Sequence, residues 1–506
     1  MKKIFSIVLA LGLVLGLTVV AAPVAADVSE PAVTVSPTTV NDVAEYKIDF
    51  DITASLTGGL HYIKIEFPAD TTVPAAYDTG DITIEGQDIA SGDVSGSGQV
   101  VTIITPITLS APEEVNVVFT IDADIQNPTS ADDYTLKVWT EKETTPVESA
   151  EYTITSGPVD LYDESMDFVD SYGTIQAAID DALSDYTIKV VTAGTYTEDL
   201  VIPADKDGLE IQGAGNASTT IKGVSLSVWG VSTLPNIEIL ADGVKIHGFT
   251  IQSPDPSGTK FAAGMIIGAK DVEIYDNVFE VMNANDTTNL DDVSQGIVTY
   301  NKRAMPGVDV SGLSIHDNAF TNYGTGPIGY EGIYINRDEG TGAITIEDNE
   351  FTGDIIRGVT VERSNATISG NTLTPTGGSK WTGVLVMDVG GWYDVGAEAQ
   401  DNIVITSNTI DGFVDGIKVG PSDHLQVLTN ISITNNTIHN SGNAGVLVRA
   451  SADGVVVNFN SLEGNSVYGV ENTDADVELD ATCNLSLIHI SEPTRPLYIS
   501  YAVFCL

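Results

Sequence analysis

The chain has 506 residues, of which 71 are acidic and only 21 are lysine or arginine, so its formal net charge at pH 7 is −50. This surplus of negative charge argues against a nucleic-acid-binding protein, because that function requires a basic surface that neutralises phosphates. Two cysteines in a chain of this length form no disulfide framework, so buried apolar area and backbone hydrogen bonds must stabilise the fold.

The N-terminus has the pattern of a secretory signal peptide. Lys2 and Lys3 precede an apolar run that ends at Val20, and small residues follow it. A basic segment, an apolar segment and a small-residue cleavage site are typical of exported proteins; the alternative is an uncleaved membrane anchor. We therefore expect residues 1–26 to be removed, leaving a mature chain without a membrane span that is extracellular or attached to the cell surface.

Residues 27–156 alternate apolar and polar side chains in short runs, such as "AEYKIDFDITA" and "EVNVVFTIDADI". Alternation with a period of two places one face of each strand on a core and the other in water. Several such strands separated by turn residues predict an antiparallel β-sandwich. The segment resembles the immunoglobulin-like modules of bacterial and archaeal surface proteins, and it contains no evident catalytic cluster. We expect a spacer or adhesion module.

A helix is predicted at "YGTIQAAIDDAL", residues 172–183, with four apolar residues on one face: Ile175, Ala178, Ile179 and Ala182. The segments "YTIKVVTAGTYTEDLVI" and "DGLEIQGAG" follow. This order resembles the beginning of the right-handed parallel β-helices of the pectin-lyase-like superfamily. The resemblance implies that the helix caps the open end of the coil.

From residue 264 onwards a repeat of two alternating half-units becomes explicit. One half-unit is a strand followed by an asparagine, as in "ITIEDNEF", and the asparagines are Asn277, Asn318, Asn349, Asn371, Asn408, Asn436 and Asn460. The other half-unit is a strand that opens with glycine, as in "GIYI"; we call these strands the Gly-strands, and they open at Gly264, Gly296, Gly332, Gly358, Gly383, Gly416 and Gly445.

The repeat predicts that residues 160–484 form a right-handed parallel β-helix, so the whole chain is expected to be all-β apart from the capping helix. Coils would stack at the strand spacing of about 4.8 Å, with ladders of Ile and Val inside. Asparagine tolerates the left-handed conformation best among non-glycine residues, so we place each repeated Asn in that conformation at a tight turn. Stacked Asn side chains would also hydrogen-bond between coils.

Charged residues lie just after consecutive Gly-strands, where stacking should bring them together: Lys302, Arg337, Asp338, Glu362, Arg363 and Asp388. A polysaccharide lyase needs a base beside a uronate carboxylate and a cation that neutralises the developing charge. Arg337 or Arg363 would be the base, and the three carboxylates of the cluster would hold Ca²⁺.

A glycoside hydrolase instead needs two carboxylates, about 5–5.5 Å apart for retention or about 6.5–9.5 Å apart for inversion. Asp338, Glu362 and Asp388 could supply such a pair. The remaining alternative is a set of charges on a solvated face, which contributes little energy. The signature segments of pectin methylesterases and polygalacturonases do not occur in the chain.

Aromatic residues on or beside the Gly-strands are candidates for stacking on sugar rings: Tyr300, Tyr334, Trp381, Trp392 and Tyr393. Packing of loops against the coil is an equally good explanation for them. With Lys302 they complete a candidate substrate-binding set. The leading hypothesis is recognition of extracellular polysaccharide along a groove of the β-helix, with or without cleavage; the alternative is a non-catalytic structural or adhesive surface protein.

The last residues differ from the repeat. "LSLIHISEPTR" (485–495) and "ISYAVFCL" (499–506) resemble one translated frame of a sequencing adapter. The preceding "VELDATCN" resembles the start of a segment that commonly follows such coils in surface β-helix proteins. We therefore expect residues 485–506 to be non-native, the β-helix to be truncated near Asn484, and Cys505 to have no biological role.

Overall fold

A computed structural model describes residues 27–224, 236–253, 262–282, 294–302, 304–323, 329–378, 380–387, 400–420, 428–449, 454–473 and 479–487. The chain divides into two compact units, Met1–Gly157 and Pro158–Leu506. The signal peptide expected at residues 1–26 lies outside the described ranges. Within those ranges, the structure contains no helix with the length and apolar character needed to cross a bilayer.

The first unit is an antiparallel β-sandwich. Its strands are β1 (Ala32–Ser36), β2 (Glu45–Ile52), β3 (Tyr62–Glu66), β4 (Ile82–Ile84), β5 (Gln87–Asp88), β6 (Val94–Ser97), β7 (Val100–Ile104), β8 (Glu113–Phe119), β9 (Asp132–Tyr134), β10 (Lys137–Thr140), β11 (Val147–Glu148) and β12 (Tyr152–Ile154), with 3₁₀ turns at Ser91–Asp93 and Ile121–Ala123. One sheet has the order β1-β2-β8-β4-β5 and the other β11-β10-β3-β7-β6, while β12 pairs with β9.

The core of the sandwich follows from the alternation in its sequence. In β2 every second residue is buried, whereas the residues between them are exposed or half-buried. Aromatic rings contact one another edge to face at the centre: Phe67 lies 5.3 Å from both Tyr46 and Phe119. One continuous cluster of buried residues joins the two sheets, as expected for two apolar faces packed together.

The second unit begins with β13 (Val159–Tyr162), β14 (Phe168–Tyr172) and helix α1 (Ile175–Asp181). The strands that follow are β15 (Thr187–Val190), β16 (Gly194–Thr197), β17 (Leu200–Ile202), β18 (Glu210–Gln212), β19 (Thr219–Lys222), β20 (Ile237–Ile239), β21 (Lys245–His247), β22 (Thr250–Gln252), β23 (Ala263–Ile267), β24 (Glu273–Tyr275), β25 (Val278–Met282), β26 (Gln295–Thr299), β27 (Ser314–His316), β28 (Ala319–Tyr323), β29 (Tyr330–Ile335), β30 (Ile344–Glu347), β31 (Glu350–Gly353), β32 (Ile355–Val361), β33 (Ala366–Ser369), β34 (Thr372–Pro375), β35 (Thr382–Val386), β36 (Gln400–Thr406), β37 (Thr409–Asp411), β38 (Asp415–Val419), β39 (Leu428–Thr434), β40 (Thr437–His439), β41 (Ala444–Val448), β42 (Val455–Asn458), β43 (Ser461–Glu463), β44 (Tyr468–Asn472) and β45 (Leu485–Leu487).

Three long sheets wind these strands into a right-handed parallel β-helix, which confirms the predicted fold class. The first sheet has the order β14-β13-β15-β18-β21-β24-β27-β30-β33-β36-β39-β42, and the second runs from β16 through β19 and every third strand to β43 and β45. The third sheet runs β17-β20-β23-β26-β29-β32-β35-β38-β41-β44 and contains the Gly-strands. Apart from the antiparallel pairs of β13, the strands within each sheet are parallel, and a single apolar core runs between the sheets.

Helix α1 covers the start of this core, as predicted, although it is shorter than residues 172–183. Its buried residues are Ile175, Ala178 and Ile179. The Thr174 side chain accepts a hydrogen bond from the Ala177 amide and so caps the N-terminus. At the other end, the buried Lys206 ammonium donates to two carbonyl oxygens near the C-terminus, at 2.9 and 2.6 Å.

The repeated asparagines form a continuous buried ladder, but they do not adopt the left-handed conformation that we expected. The residue before each of them does, with φ between 53° and 66°, as at Asp348 and Gly370. Each ladder Asn, such as Asn349, instead points inward. Its backbone amide and its Nδ2 both donate to Oδ1 of the next Asn, here Asn371, at 3.0 Å. The ladder satisfies buried polar groups that the turn would otherwise leave unpaired.

The glycines of the Gly-strands are required by the close approach of successive coils. A Cβ atom built on any of the seven would lie 2.6–2.7 Å from the carbonyl oxygen of the equivalent glycine in the next coil, and Gly469 supplies that oxygen for the last of them. Real Cβ atoms do not approach an oxygen so closely. Any side chain at these positions would therefore push the coils apart.

The outer surface of the first sheet carries a stack of aromatic rings. Tyr275 lies between His247 and His316, with ring centroids 4.5 and 5.2 Å away. His316 contacts Glu273 through Nε2 at 3.2 Å and Asp317 through Nδ1 at 2.9 Å. Burial alone lowers the pKa of His316, but its hydrogen bonds and attraction to these two carboxylates outweigh that effect and raise the pKa.

The structure describes only three residues of the tail that we expected to be non-native, 485–487. Strand β45 pairs Ser486 with Leu462, which is an interior position of the coil. Earlier members of the same ladder include Phe320 and Phe351, whose stacked rings lie 4.7 Å apart. Within the described ranges the buried Ser486 hydroxyl has no hydrogen-bond partner, so serine suits this position poorly.

Candidate functional site

The outward face of the Gly-strands is only partly accessible. Val298, Thr360 and Leu385 lie on that face, and their exposures are only 7%, 0% and 6%, although they belong to neither apolar core. Other residues at equivalent positions of the same face are half-buried, namely Ile266, Tyr334 and Lys418. The groove that we expected along this sheet is therefore interrupted where the first three residues are covered.

A depression of about 550 Å³ lies where the Gly-strands β29 and β32 end. Its lining comes from residues 337–341 and 362–365, together with Lys302 and Asp401. The two segments directly follow stacked strands, so the parallel register brings them side by side although 25 residues separate Asp338 from Arg363. Stacking thus gathers Lys302, Arg337, Asp338, Glu362 and Arg363 as predicted. Asp388 lies outside the described residues.

The centre of the site is a buried ion pair. Arg363 Nη1 donates to Asp338 Oδ2 at 2.8 Å, and the side chains are 2% and 1% exposed. The guanidinium also donates from Nη2 to the carbonyl oxygens of Gly340 and Gly342, at 3.3 and 2.7 Å. The Val310 amide donates to Asp338 Oδ2 at 2.8 Å. Arg363, whose Nε also donates to the Ser364 carbonyl at 3.2 Å, is therefore held in one orientation by three backbone carbonyls and one carboxylate.

The other oxygen of Asp338, Oδ1, is buried and has no hydrogen-bond partner among the residues that the structure describes. An unpaired buried acceptor is costly, so this atom favours any group that can donate to it. Burial raises the pKa of Asp338, and the Arg363 guanidinium and Val310 amide limit that rise. Burial conversely lowers the pKa of Arg363, while the carboxylates of Asp338 and Asp309 oppose the change.

Glu362 also lines the depression, but its side chain is hydrogen-bonded to the neighbouring strand β29. Its side chain accepts a hydrogen bond from the Tyr334 hydroxyl, and the residue is 2% exposed. The backbone amide of Lys302 donates to the Arg337 carbonyl at 3.0 Å, which fixes these two coils side by side. Glu339 is exposed at the rim. The depression thus combines fixed, buried charges with accessible polar groups.

Calcium was predicted to bind Asp338, Glu362 and Asp388. Within the described part of the chain, no group of three His, Cys, Asp or Glu residues is placed to hold a metal ion. The Asp338 oxygen that faces Arg363 already accepts two hydrogen bonds, so only Oδ1 has capacity for a cation. Because Asp388 lies outside the described residues, the calcium site stays a prediction.

The predicted aromatic residues occupy different places. Tyr300 packs against the core and donates a hydrogen bond to Glu238. The Tyr334 hydroxyl donates to Glu362. Trp381 lies at the opposite end of the strands, where the Arg357 guanidinium carbon is 5.7 Å from its ring centroid. These three residues do not line the depression. Trp392 and Tyr393 lie outside the described residues.

Sequence reasoning missed part of the lining. Ser364 and Asn365 directly follow the predicted cluster, and Asp401 begins the next coil of the first sheet. Asp401 accepts hydrogen bonds from the side chains of Thr429 and Asn430, at 2.9 and 2.6 Å. Ser364 and Asn365 could have been identified from their place in the short turn between β32 and β33, next to the predicted residues, and Asp401 from its position directly after a long insertion.

The fold and the site together define a right-handed parallel β-helix protein with a polar depression at the ends of its Gly-strands. Residues 295–485 match the family model described as "Right handed beta helix region". No characterised protein matches the chain in sequence.

Three solved structures are similar to parts of the chain. A tailspike protein variant of E. coli bacteriophage HK620, in complex with a pentasaccharide, is 12% identical with a TM-score of 0.45, over 65% of this chain and 62% of that one. This chain thus spans less than two thirds of the tailspike chain. The catalytic domain of a GH87 alpha-1,3-glucanase in complex with nigerose is 14% identical with a TM-score of 0.35, over 90% and 97% of the two chains. BslA, a bacterial hydrophobin, is 16% identical with a TM-score of 0.19, over 26% and 98%.

Proposed function

We propose that the protein is exported and recognises an extracellular polysaccharide in the depression formed by residues 337–341 and 362–365. The observation that carries this proposal is the chemistry of the lining. Pockets for drug-like ligands are mostly apolar, whereas every side chain that lines this depression is charged or carries a hydroxyl or amide group. Such a lining suits a ligand that presents many hydroxyl groups and little apolar surface.

The buried Asp338 Oδ1 gives the site a specific preference. In the described part of the chain it is an acceptor without a partner, and Arg363 and the Val310 amide hold its carboxylate in place. A sugar hydroxyl is a donor that can pair with this oxygen once the lining moves enough to expose it, because the Asp338 side chain is only 1% exposed.

The contacts bear differently on the two catalytic versions. Arg363 donates to a carboxylate and to backbone carbonyls, so it is not placed to accept a proton as a lyase base. A hydrolase would use Asp338 and Glu362, of which Asp338 has the raised pKa that a general acid requires. Whether the bound glycan is also cleaved is therefore tested separately, by measuring product formation.

The test uses the chain from residue 27 onwards and a panel of neutral and uronate-containing glycans, with and without calcium. Calorimetry measures binding, and reducing ends and unsaturated products report cleavage. We expect Glu339→Ala, which changes an exposed rim residue, to weaken binding without changing the melting temperature. Glu350→Ala, an exposed change on strand β31, is the matched control. Failure of every glycan to bind would refute the proposal and favour a structural or adhesive rod.

A further inference from the structure

A second cluster of polar residues lies at the other end of the Gly-strands, where the strands begin. Five residues in register on consecutive coils form a ladder there, namely Gln295, Glu331, Arg357, Thr382 and Asp415. All five are polar, and four of them are buried. Arg357 is the exception, since 21% of its side chain is exposed. Its guanidinium is therefore the member of the ladder that solvent or a ligand can reach.

The neighbours of Arg357 orient it without saturating it. Its Nη1 atom lies 3.7 Å from Glu331 Oε1, so the two side chains form an ion pair, although this distance is too long for a hydrogen bond. The Glu331 oxygens accept instead from Thr360 Oγ1 at 2.5 Å and from Gln295 Nε2 at 3.3 Å. Within the described part of the chain the Arg357 guanidinium makes no hydrogen bond. Its N–H groups are thus available to an incoming acceptor.

Trp381 completes the arrangement. The Arg357 guanidinium carbon lies 5.7 Å from the centroid of its ring, within the range of a cation–π contact. Trp381 is half-buried, and its amide donates to the Ile356 carbonyl at 3.0 Å, which fixes the backbone that carries the ring. A fixed indole beside a guanidinium with unused donors offers an apolar face and hydrogen bonds in one place.

We propose that Arg357 and Trp381 form a saccharide subsite for a neutral sugar residue. The sugar ring packs on the exposed part of the Trp381 indole, and a hydroxyl oxygen of that sugar accepts a hydrogen bond from Arg357. This inference rests on the proposed function, and it adds a second subsite and a substrate class to it. Arg357 precedes Glu362 by five residues along one strand, so the two subsites lie about 17 Å apart.

The local charges favour a neutral glycan over a uronate. The carboxylate of Glu331 adjoins Arg357 in the ladder, whereas Thr382 separates Arg357 from Asp415. A uronate carboxylate bound to Arg357 would be repelled by Glu331, and the chain as a whole carries −50. A neutral hydroxyl avoids this repulsion and still uses the unfilled N–H donors.

The experiment measures the binding of matched neutral and uronate-containing oligosaccharides by calorimetry. The proteins are the wild type, Trp381→Leu, Arg357→Met and Arg357→Lys. Glu339→Ala is included as well, because it tests binding in the depression separately. Trp139→Phe is the matched control, because Trp139 lies on strand β10 of the sandwich. Melting temperatures and circular dichroism establish that each variant is folded. Arg357→Lys retains the positive charge but loses the planar guanidinium that lies beside Trp381.

We expect Trp381→Leu and Arg357→Met to bind the neutral glycan about tenfold more weakly, a typical effect of losing one stacking contact. Arg357→Lys should fall between them and the wild type, and the control should bind normally. If the wild type and both variants bind equally while Glu339→Ala binds weakly, the subsite is wrong and the proposed function stands. Preference for the uronate would refute the neutral assignment. If the wild type binds no glycan, both proposals fail.

Discussion

Replacement of Asn371 by alanine tests whether the asparagine ladder stabilises the β-helix. This side chain is fully buried. Its Oδ1 accepts from the amide and from Nδ2 of Asn349, both at 3.0 Å. Its Nδ2 donates to the carbonyl oxygens of Ile346 and Ser369, at 2.9 and 3.0 Å, and to Oδ1 of Asn408 at 3.0 Å. Alanine removes all of these bonds.

The expected loss follows from this list of bonds. The Asn349 amide becomes a buried donor without a partner, which costs about 1–3 kcal/mol, and each further lost hydrogen bond costs about 1 kcal/mol net. Some of these groups will find weaker partners after relaxation. We therefore expect Asn371→Ala to lower the free energy of unfolding by about 3–5 kcal/mol, which is large for a single substitution.

Native-state hydrogen exchange is the appropriate measurement, since the two units of the chain need not unfold together. The Asn349 amide should exchange faster in Asn371→Ala, and amides several coils away should respond less. Glu350→Ala, an exposed change next to Asn349, should alter stability by less than about 0.5 kcal/mol. A loss below about 1 kcal/mol in Asn371→Ala, or equal effects in the two variants, would show that the ladder accompanies the fold without stabilising it.

Three further substitutions test other contacts. Gly358→Ala would place a Cβ 2.1 Å from Leu373 and 2.7 Å from the carbonyl oxygen of the next coil, so calorimetry should show a markedly lower melting temperature. Gly378 has open space around it, so Gly378→Ala should melt like the wild type. Equal melting temperatures for the two variants would contradict the steric argument. Arg363→Met leaves a buried carboxylate unpaired and should cost about 3–5 kcal/mol in urea unfolding; a loss under about 1 kcal/mol would mean that this pair is dispensable. His316→Gln should lose more stability at pH 5.5 than at pH 9. The pKa of His316 is raised in the folded state, so its contribution to stability is complete below the pKa of the unfolded chain and disappears as the pH rises through the pKa of the folded protein. A loss of stability that does not depend on pH would contradict this reasoning.

The core fold could be predicted because its signals are local and repeated. A strand that alternates with period two, a glycine and an asparagine recur at each coil, and any one coil that was misread would be corrected by its neighbours. The capping helix was recognisable because Ile175, Ala178 and Ile179 fall on one face within a single short segment. The placement of Asn in the left-handed position was wrong, since propensity alone does not distinguish a turn residue from its inward-pointing neighbour.

The site was only partly predictable. Stacking correctly brought Asp338, Glu362 and Arg363 to one depression, because equivalent positions of parallel coils adjoin. Their roles depend on atoms that the sequence does not bring together: Val310 donates to Asp338 from an insertion, and Tyr334 donates to Glu362 from the preceding strand. Signal peptide, calcium and adapter-derived tail stay predictions from the sequence.

By itself, the sequence determined the repeat and hence the parallel β-helix, because hydrophobic alternation and small glycines act over a few residues and recur in every coil. Only the tertiary structure decided which charged groups are paired and which stay available. Asp338 and Arg363 neutralise each other in the interior of the site, whereas Arg357 keeps its N–H donors beside Trp381. The difference arises from the orientation of side chains on adjacent coils, and insertions of variable length conceal that orientation from any reading of the sequence alone.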